Sequence, residues 1–303
     1  MSGAGRGQRL IADLALLAVA AAWGLTFPLG KIVLVTLPPF AYLASRFLIA
    51  ALIMALWLRR RPGAAPPRAW RLAALTGGVF FAGYALQTVG LGMTTAAKAG
   101  FITGLSVGLV PIISAVWLQR TPPKGVLAGV AATTAGLAFL TLTEGMRIGV
   151  GDLWVLGCAI AFALHIVLVG RLAGALDAVV FTTAQIMTAA VLGSLAAAVE
   201  QPPSGAAAAI GAMRPAVLAM IAFMALSGTV AALIIQTWAQ RFTSASHTAL
   251  MFTFEPVAAA IAAYVMLGEV LTRRQLLGAG LILAGIVTAE LKQEHEHAGV
   301  EAT

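Results

Sequence analysis

Residues 85–138 recur without a gap at residues 234–287. In this register, 149 positions apart, Gln87-Thr88 falls on Gln236-Thr237, Thr94 on Thr243, Leu118 on Leu267, Leu127 on Leu276, Gly129 on Gly278 and Gly136 on Gly285. A chain rich in Ala, Leu and Gly gives many chance matches. An ungapped register that pairs two Gln-Thr dipeptides and two glycines seven apart marks an internal duplication. The earlier parts of the copies fit 139 positions apart, where Leu37 falls on Leu176 and Arg46 on Gln185. The change of register lies in the connector that runs from Arg59 to Arg68 in one copy and from Gln201 to Ile210 in the other. Loops absorb such differences at small cost. The chain therefore reads as two copies of one unit.

The unit is helical and lipid-soluble. With 60% hydrophobic and 10% charged residues over 303 positions, and a mean hydropathy of +0.96, an ordinary soluble globule is excluded. A bilayer core of about 30 Å takes about 20 apolar residues per helix. Ten such runs are predicted, at residues 10–34, 38–58, 70–91, 97–118, 124–142, 151–170, 179–199, 215–238, 246–267 and 275–291. Five helices per copy is an odd number, so the second copy must enter the membrane from the opposite side. The expected fold class is an all-α polytopic membrane protein with ten transmembrane helices in two inverted five-helix repeats. Residues 10–142 form the first repeat and 151–291 the second, with 1–9 and 292–303 as cytoplasmic ends. Arg6 and Arg9 give the first run the flank of a signal peptide, but it continues through Trp23 and Phe27 to Val35 and is expected to stay as a span.

The net charge of +8 sits mostly in short connectors, which indicates membrane orientation rather than nucleic-acid binding. With the N-terminus inside, the inner connectors collect Arg6, Arg9, Arg59, Arg60, Arg61, Arg68, Arg71, Arg120, Lys124, Arg171, Arg241 and Lys292. The outer ones collect Lys31, Lys98, Arg147, Arg214, Arg273 and Arg274, of which the last two run against the rule. This distribution places both termini in the cytoplasm of a bacterial-type inner membrane. The single cysteine, Cys158, excludes an internal disulfide. No Walker sequence, His-Glu-x-x-His or paired membrane aspartates occur, so no cofactor, metal or ATP-driven chemistry is expected. His295-Glu-His297 reads as a polar tail. The expected partners are the bilayer and a small-molecule substrate, in a monomer or weak homo-oligomer.

Polar and special residues at depth are the candidates for function, since each costs about 2.5–3.5 kcal/mol at a helix centre. Arg46 lies roughly 12 Å from one end of its helix and Glu255 roughly 13 Å from the opposite end of another, by a rise of about 1.5 Å per residue. A direct pair is possible on that spacing, and helix-end carbonyls are the alternative partners of Arg46. Pro256 should free the carbonyl of Phe252 and bend its helix, and Pro111 should do the same at Val107. Gly100, Gly104 and Gly108 give a smooth face for a neighbouring backbone. His165 is deep enough for substrate contact or for a local hydrogen bond. His247 and its repeat partner Lys98 stand at helix starts; a solvated charge is the simpler reading, and a pair of substrate-drawing mouths the other. Phe80, Tyr84 and Gln87 share one helix face, Phe101 follows in the next helix, and Thr248, Met251 and Glu255 share another face. These seven, with His165, outline the expected cavity. Gly104-Leu-Ser106-Val-Gly108 matches a hydrolase nucleophile pattern, but such a serine needs a strand-turn-helix elbow or a helix end, and Ser106 is expected mid-helix.

Trp23-Gly24, Arg46, Thr94-Thr-Ala96, Thr243-Ser-Ala245, Glu255-Pro256 and Leu267-Gly-Glu269, set on ten helices in two inverted repeats, resemble the EamA-type drug/metabolite transporters over about residues 10–291. The resemblance implies transport by alternating access, not catalysis, with Trp23, Arg46, Gly100, Gly104, Gly108, Pro111 and Pro256 in structural or gating roles. It also implies that the third, fourth, eighth and ninth helices surround the path. Within that superfamily the chain looks most like the YddG-type amino-acid exporters, which implies export of amino acids, aromatic ones included, and related metabolites. Broad drug/metabolite export is the alternative within the fold, and an intramembrane serine hydrolase using Ser106 the alternative outside it. One departure is His165, where such helices frequently carry a larger aromatic.

Overall fold

The computed structural model describes residues 6–59, 67–94, 96–118, 124–141, 149–200, 213–267, 272–274 and 276–285, with the backbone only at Arg6, 96–98 (Lys98 included), Phe101, 118, 124–126, 137, 140–141, 263 and 266–267. The connector pair 60–66 and 201–210, Thr95, Gly268-Glu269 and the tail with His295 and His297 lie outside the described residues. The described elements are helical: α1 (Arg6–Leu34), α2 (Pro39–Leu58), α3 (Pro67–Met93), α4 (Ala96–Gly104), α5 (Ser106–Leu118), α6 (Lys124–Thr141), α7 (Val150–Leu172), α8 (Ala178–Glu200), α9 (Pro215–Ala239), α10 (Ala245–Phe252), α11 (Phe254–Leu267) and α12 (Leu276–Gly285). Among them α1, α2, α3, α7, α8 and α9 are each long and apolar enough to cross a bilayer.

Polarity runs inside-out. Leu48, Leu52 and Leu56 on α2, and Leu153, Leu156 and Ile160 on α7, are exposed at helical spacing. Such stripes suit lipid and would be a liability in water. Arg46, His165, Gln185, Gln236 and Gln240 are buried between helices. The main contacts join α3 to α7 and α8, α2 to α8, and α1 to α11. Between α6 and α12 the backbones nearly touch. A Cβ on Gly136 would lie 2.7 Å from the carbonyl oxygen of Gly278, and one on Gly285 3.0 Å from that of Gly129. The repeat register equates Gly129 with Gly278 and Gly136 with Gly285, so this contact is reciprocal: each copy offers the same two glycines to the other.

Three of the helical runs are interrupted. The run expected at 97–118 breaks at Leu105, where Leu105 N–H donates to the Ile102 carbonyl (3.2 Å). The kink expected at Val107 from Pro111 is thus displaced; α5 continues through Pro111, and Gly104 and Ser106 flank the break instead. Gly and Ser stabilise a helix poorly and are recurrent kink sites. The run at 246–267 breaks at Thr253, beside the Phe252 carbonyl that Pro256 deprives of a donor; Thr253 N–H turns back to Leu250 (3.0 Å). The 149 register puts Leu105 on Phe254, next to Thr253, so the two copies break within one residue of each other despite unaligned prolines. In α9, Leu226–Ala231 form a π-helical turn, which inserts a residue and re-aims the local carbonyls.

Charged side chains tie helix ends together. Glu200, ending α8, accepts from the N–H groups of Phe40 (2.9 Å) and Ala41 (3.2 Å), an anion on the N-terminus of α2. Arg241, just past α9, donates to the carbonyls of Ala173 (2.9 Å) and Leu176 (2.6 Å) beyond α7. Lys31 in the last turn of α1 donates to the Thr94 carbonyl (2.7 Å) beyond α3. Each cation caps a carbonyl-rich helix C-terminus.

Candidate functional site

Phe80, Tyr84 and Gln87 of α3, His165 of α7 and Glu255 of α11 line one cavity between the two copies. The free space within it is about 50 Å³, well below the roughly 300–1,000 Å³ of open small-molecule sites. Trp23 and Thr26 of α1, Thr103 of α4, Ser106 of α5, Phe162 of α7, Gln236 of α9 and Phe252 of α10 complete the wall. Most of these were not singled out from the sequence, although the registers relate them to one another. At 139 positions, Trp23 pairs with Phe162 and Thr26 with His165; at 149, Gln87 pairs with Gln236, Thr103 with Phe252 and Ser106 with Glu255. Ten of the fifteen lining residues are thus matched positions of the two copies, while Phe80, Tyr84, Gly104, Val107 and Ile166 have no partner in the lining.

The walls are largely aromatic. Phe80 and Tyr84 meet edge-on at 4.8 Å, Tyr84 and Phe162 at 5.3 Å, and Trp23 and Phe252 at 4.7 Å between ring centroids. Edge-to-face packing fixes ring orientation without any polar contact. Gln87 is held by Thr103, its Nε2 donating to Oγ1 at 3.2 Å, and Gln236 by Gln240 at 3.1 Å. At the Glu255 wall α1 lies close: a Cβ on Gly24 would come within 2.7 Å of the Glu255 carbonyl oxygen. Only a residue without a Cβ allows this approach.

Arg46 and Glu255 do not pair. Arg46 is 2% exposed, and each nitrogen of its guanidinium is engaged around the π-helical turn of α9. Nε donates to Thr229 Oγ1 (2.9 Å), Nη1 to the Tyr42 hydroxyl (3.2 Å), and Nη2 to the Tyr84 hydroxyl (3.2 Å) and the Gly228 carbonyl (3.1 Å). Trp23 Nε1 donates to that same carbonyl at 2.8 Å. The widened turn thus supplies the helix carbonyl that was the alternative partner for Arg46. Glu255, partly buried, makes no hydrogen bond or ion pair among the described residues.

Other expectations need correction. Thr248 and Met251 are buried and are not among the residues that line the cavity, Met251 packing with Val110, Ile166 and Ile282, because the break at Thr253 divides their helix from the one carrying Glu255. Gly100 and Gly108 form no packed face among the described residues, where a Cβ at either meets nothing within 4 Å. Gly104 lines the cavity. Ser106 is not mid-helix but opens α5, and it makes no hydrogen bond to a histidine among the described residues; His165 Nε2 is bonded instead to Gln185 Oε1 at 2.7 Å. His247 is not a solvated charge. It is 1% exposed, with Nε2 3.0 Å from Asp13 Oδ1, tying α10 to α1. The sequence held a signal for this end contact: Asp13 falls on Asp152 at 139 positions. At the other end Asp152 accepts from the Thr94 hydroxyl (2.6 Å) and the Gly149 N–H (2.8 Å).

One family model matches most of the chain. The EamA-like transporter family matches twice, over residues 10–142 and 149–289. An uncharacterized transporter of Archaeoglobus fulgidus is 32% identical over 287 residues, covering 94% of this chain and 87% of the relative. A solved crystal structure superimposes with a TM-score of 0.76 at 18% identity, covering 94% of this chain and 98% of the other, a likeness of fold alone. The protein is thus similar in sequence to a transporter along nearly its whole length and carries apolar helices of spanning length. This multi-pass membrane chain belongs to the EamA-like transporter family.

Proposed function

We propose that the protein is a secondary transporter that moves amino acids and related small metabolites out of the cell by alternating access, with the aromatic-walled cavity as its transport site. The observation that carries the reading is the pairing of cavity residues across the copies, Ser106 with Glu255 and Gln87 with Gln236 above all. A site lined by matched positions of two inverted units keeps its neighbours when the units exchange roles, which is the geometry alternating access requires. The reciprocal glycine contact of α6 and α12 supports the inverted relation. Counting α4 with α5 and α10 with α11 as single broken spans gives ten crossings. Broken helices beside a cavity are a recurrent feature of such sites, since irregular backbone is tolerated at membrane depth only where it lines one.

The Asp13–His247 contact at one end and the Asp152–Thr94 contact at the other close the two ends of the path in this reading. The orientation follows from the lysine and arginine bias, with both termini on the cytoplasmic side of an inner membrane. Residues Phe80, Tyr84, Gln87, His165 and Glu255 touch the substrate; Trp23 and Arg46 hold the π-helical turn that forms the wall behind it. Purified protein in lipid vesicles should carry labelled phenylalanine with saturable, competable kinetics. Flux indistinguishable from protein-free vesicles would reject the reading.

A further inference from the structure

The cavity presents one carboxyl group. Among the residues lining it, Glu255 is the only Asp, Glu, Lys or Arg, and its carboxylate has no partner among the described residues. The nearest buried cation offers no compensation, since every nitrogen of the Arg46 guanidinium is engaged by Thr229, Tyr42, Tyr84 and Gly228. Tyr84 screens it from the cavity, with the Arg46 Cζ 4.7 Å from the ring centroid. His165 is occupied at Nε2 by Gln185. The repeat partner of Glu255 is the neutral Ser106, so the charge belongs to one copy alone. A ligand's carboxylate would find no cation here, whereas its ammonium group would find a carboxylate and the π faces of Trp23, Phe80, Tyr84 and Phe252.

We propose that Glu255 recognises an ammonium group, and that the preferred ligands are flat apolar amines whose acid end is absent or neutral, such as aromatic amines and amino-acid amides or esters. Free amino acids are then the weaker members of the substrate class. This rests on the reading that the cavity is the transport site. A buried carboxylate that lacks a partner gains most from a cation that fits beside it, because the desolvation cost is already met by the fold. The aromatic walls bind the ligand's body whatever its charge, so the discrimination falls on Glu255.

The test measures binding to the purified full chain of four probes with one phenyl body: phenethylamine, phenylalaninamide, phenylalanine and 3-phenylpropionate. The two cations should bind about tenfold or more tighter than phenylalanine, with the anion weakest. Glu255→Gln should remove that preference with no large change in melting temperature, and Glu255→Asp should keep the order of the probes. Equal or tighter binding of 3-phenylpropionate, or an unchanged preference in Glu255→Gln, would overturn the proposal while leaving the cavity as the site. Binding of none of the four would overturn both.

Discussion

Two charged groups sit deep in this membrane protein, and their surroundings differ in kind. Arg46 is enclosed on all sides and spends each of its nitrogens on a neighbour, three hydroxyls and one carbonyl. Glu255 borders open space and has no such partner. Both residues carry the insertion cost of a charge, so their presence needs a return. For Arg46 the return is internal: it secures the π-helical turn of α9 against α2 and α3, with Trp23 on the same carbonyl. For Glu255 nothing among the described residues repays it, and in the proposed reading the ligand does. A satisfied buried charge therefore indicates structure, and an unsatisfied one beside a cavity indicates function.

The largest effect that separates the two should come from Arg46→Leu. It takes a donor from the Thr229 hydroxyl, which keeps only its own donation to the Met224 carbonyl, and another from the Gly228 carbonyl, for a loss of about 2–4 kcal/mol, and should yield protein that melts much lower in detergent and aggregates on size exclusion. A melting temperature unchanged from the parent would mean that Arg46 is not structural. Next in size is an exchange between the copies. Glu255→Ser should abolish preferential binding of phenethylamine, and adding Ser106→Glu should restore part of it, because position 106 faces the same cavity. No recovery in the double variant would break the claim that the two positions are equivalent. The smallest effect is expected at Thr248, whose hydroxyl is buried without a partner among the described residues. Thr248→Val removes an unsatisfied group at little change in shape, so stability should hold or rise by up to about 1 kcal/mol with binding unchanged. Loss of binding would return Thr248 to the cavity wall.

The long helices were legible because lipid imposes a single demand, an apolar run of sufficient length, and α1, α2, α3, α7 and α8 end within a few residues of the expected limits. Backbone irregularities were less legible. Pro256 announced the break at Thr253, but the break at Leu105 lies well before Pro111, and nothing in Leu226–Ala231 announces a π-helical turn. Helix spacing placed Phe80, Tyr84 and Gln87 on a common face, yet failed for Thr248 and Met251, since a broken helix does not keep its face. Axial depth alone brought Arg46 and Glu255 together; their lateral separation depends on which helices pack, which periodicity does not encode. The repeat registers held more than was read from them. Applied to each cavity residue in turn, they would have added Gln236, Thr26 and Ser106, and applied to Asp13 they would have led to Asp152.

The account stands or falls on the cavity opening in turn to each side of the membrane. A single cysteine at position 106, in a chain where Cys158→Ala removes the native thiol, can be probed with a membrane-impermeant maleimide applied to one face of oriented vesicles at a time. Labelling from both faces, slowed in each case by saturating phenethylamine, is the predicted result. Labelling from one face only, or at a rate that phenethylamine leaves unchanged, would contradict it.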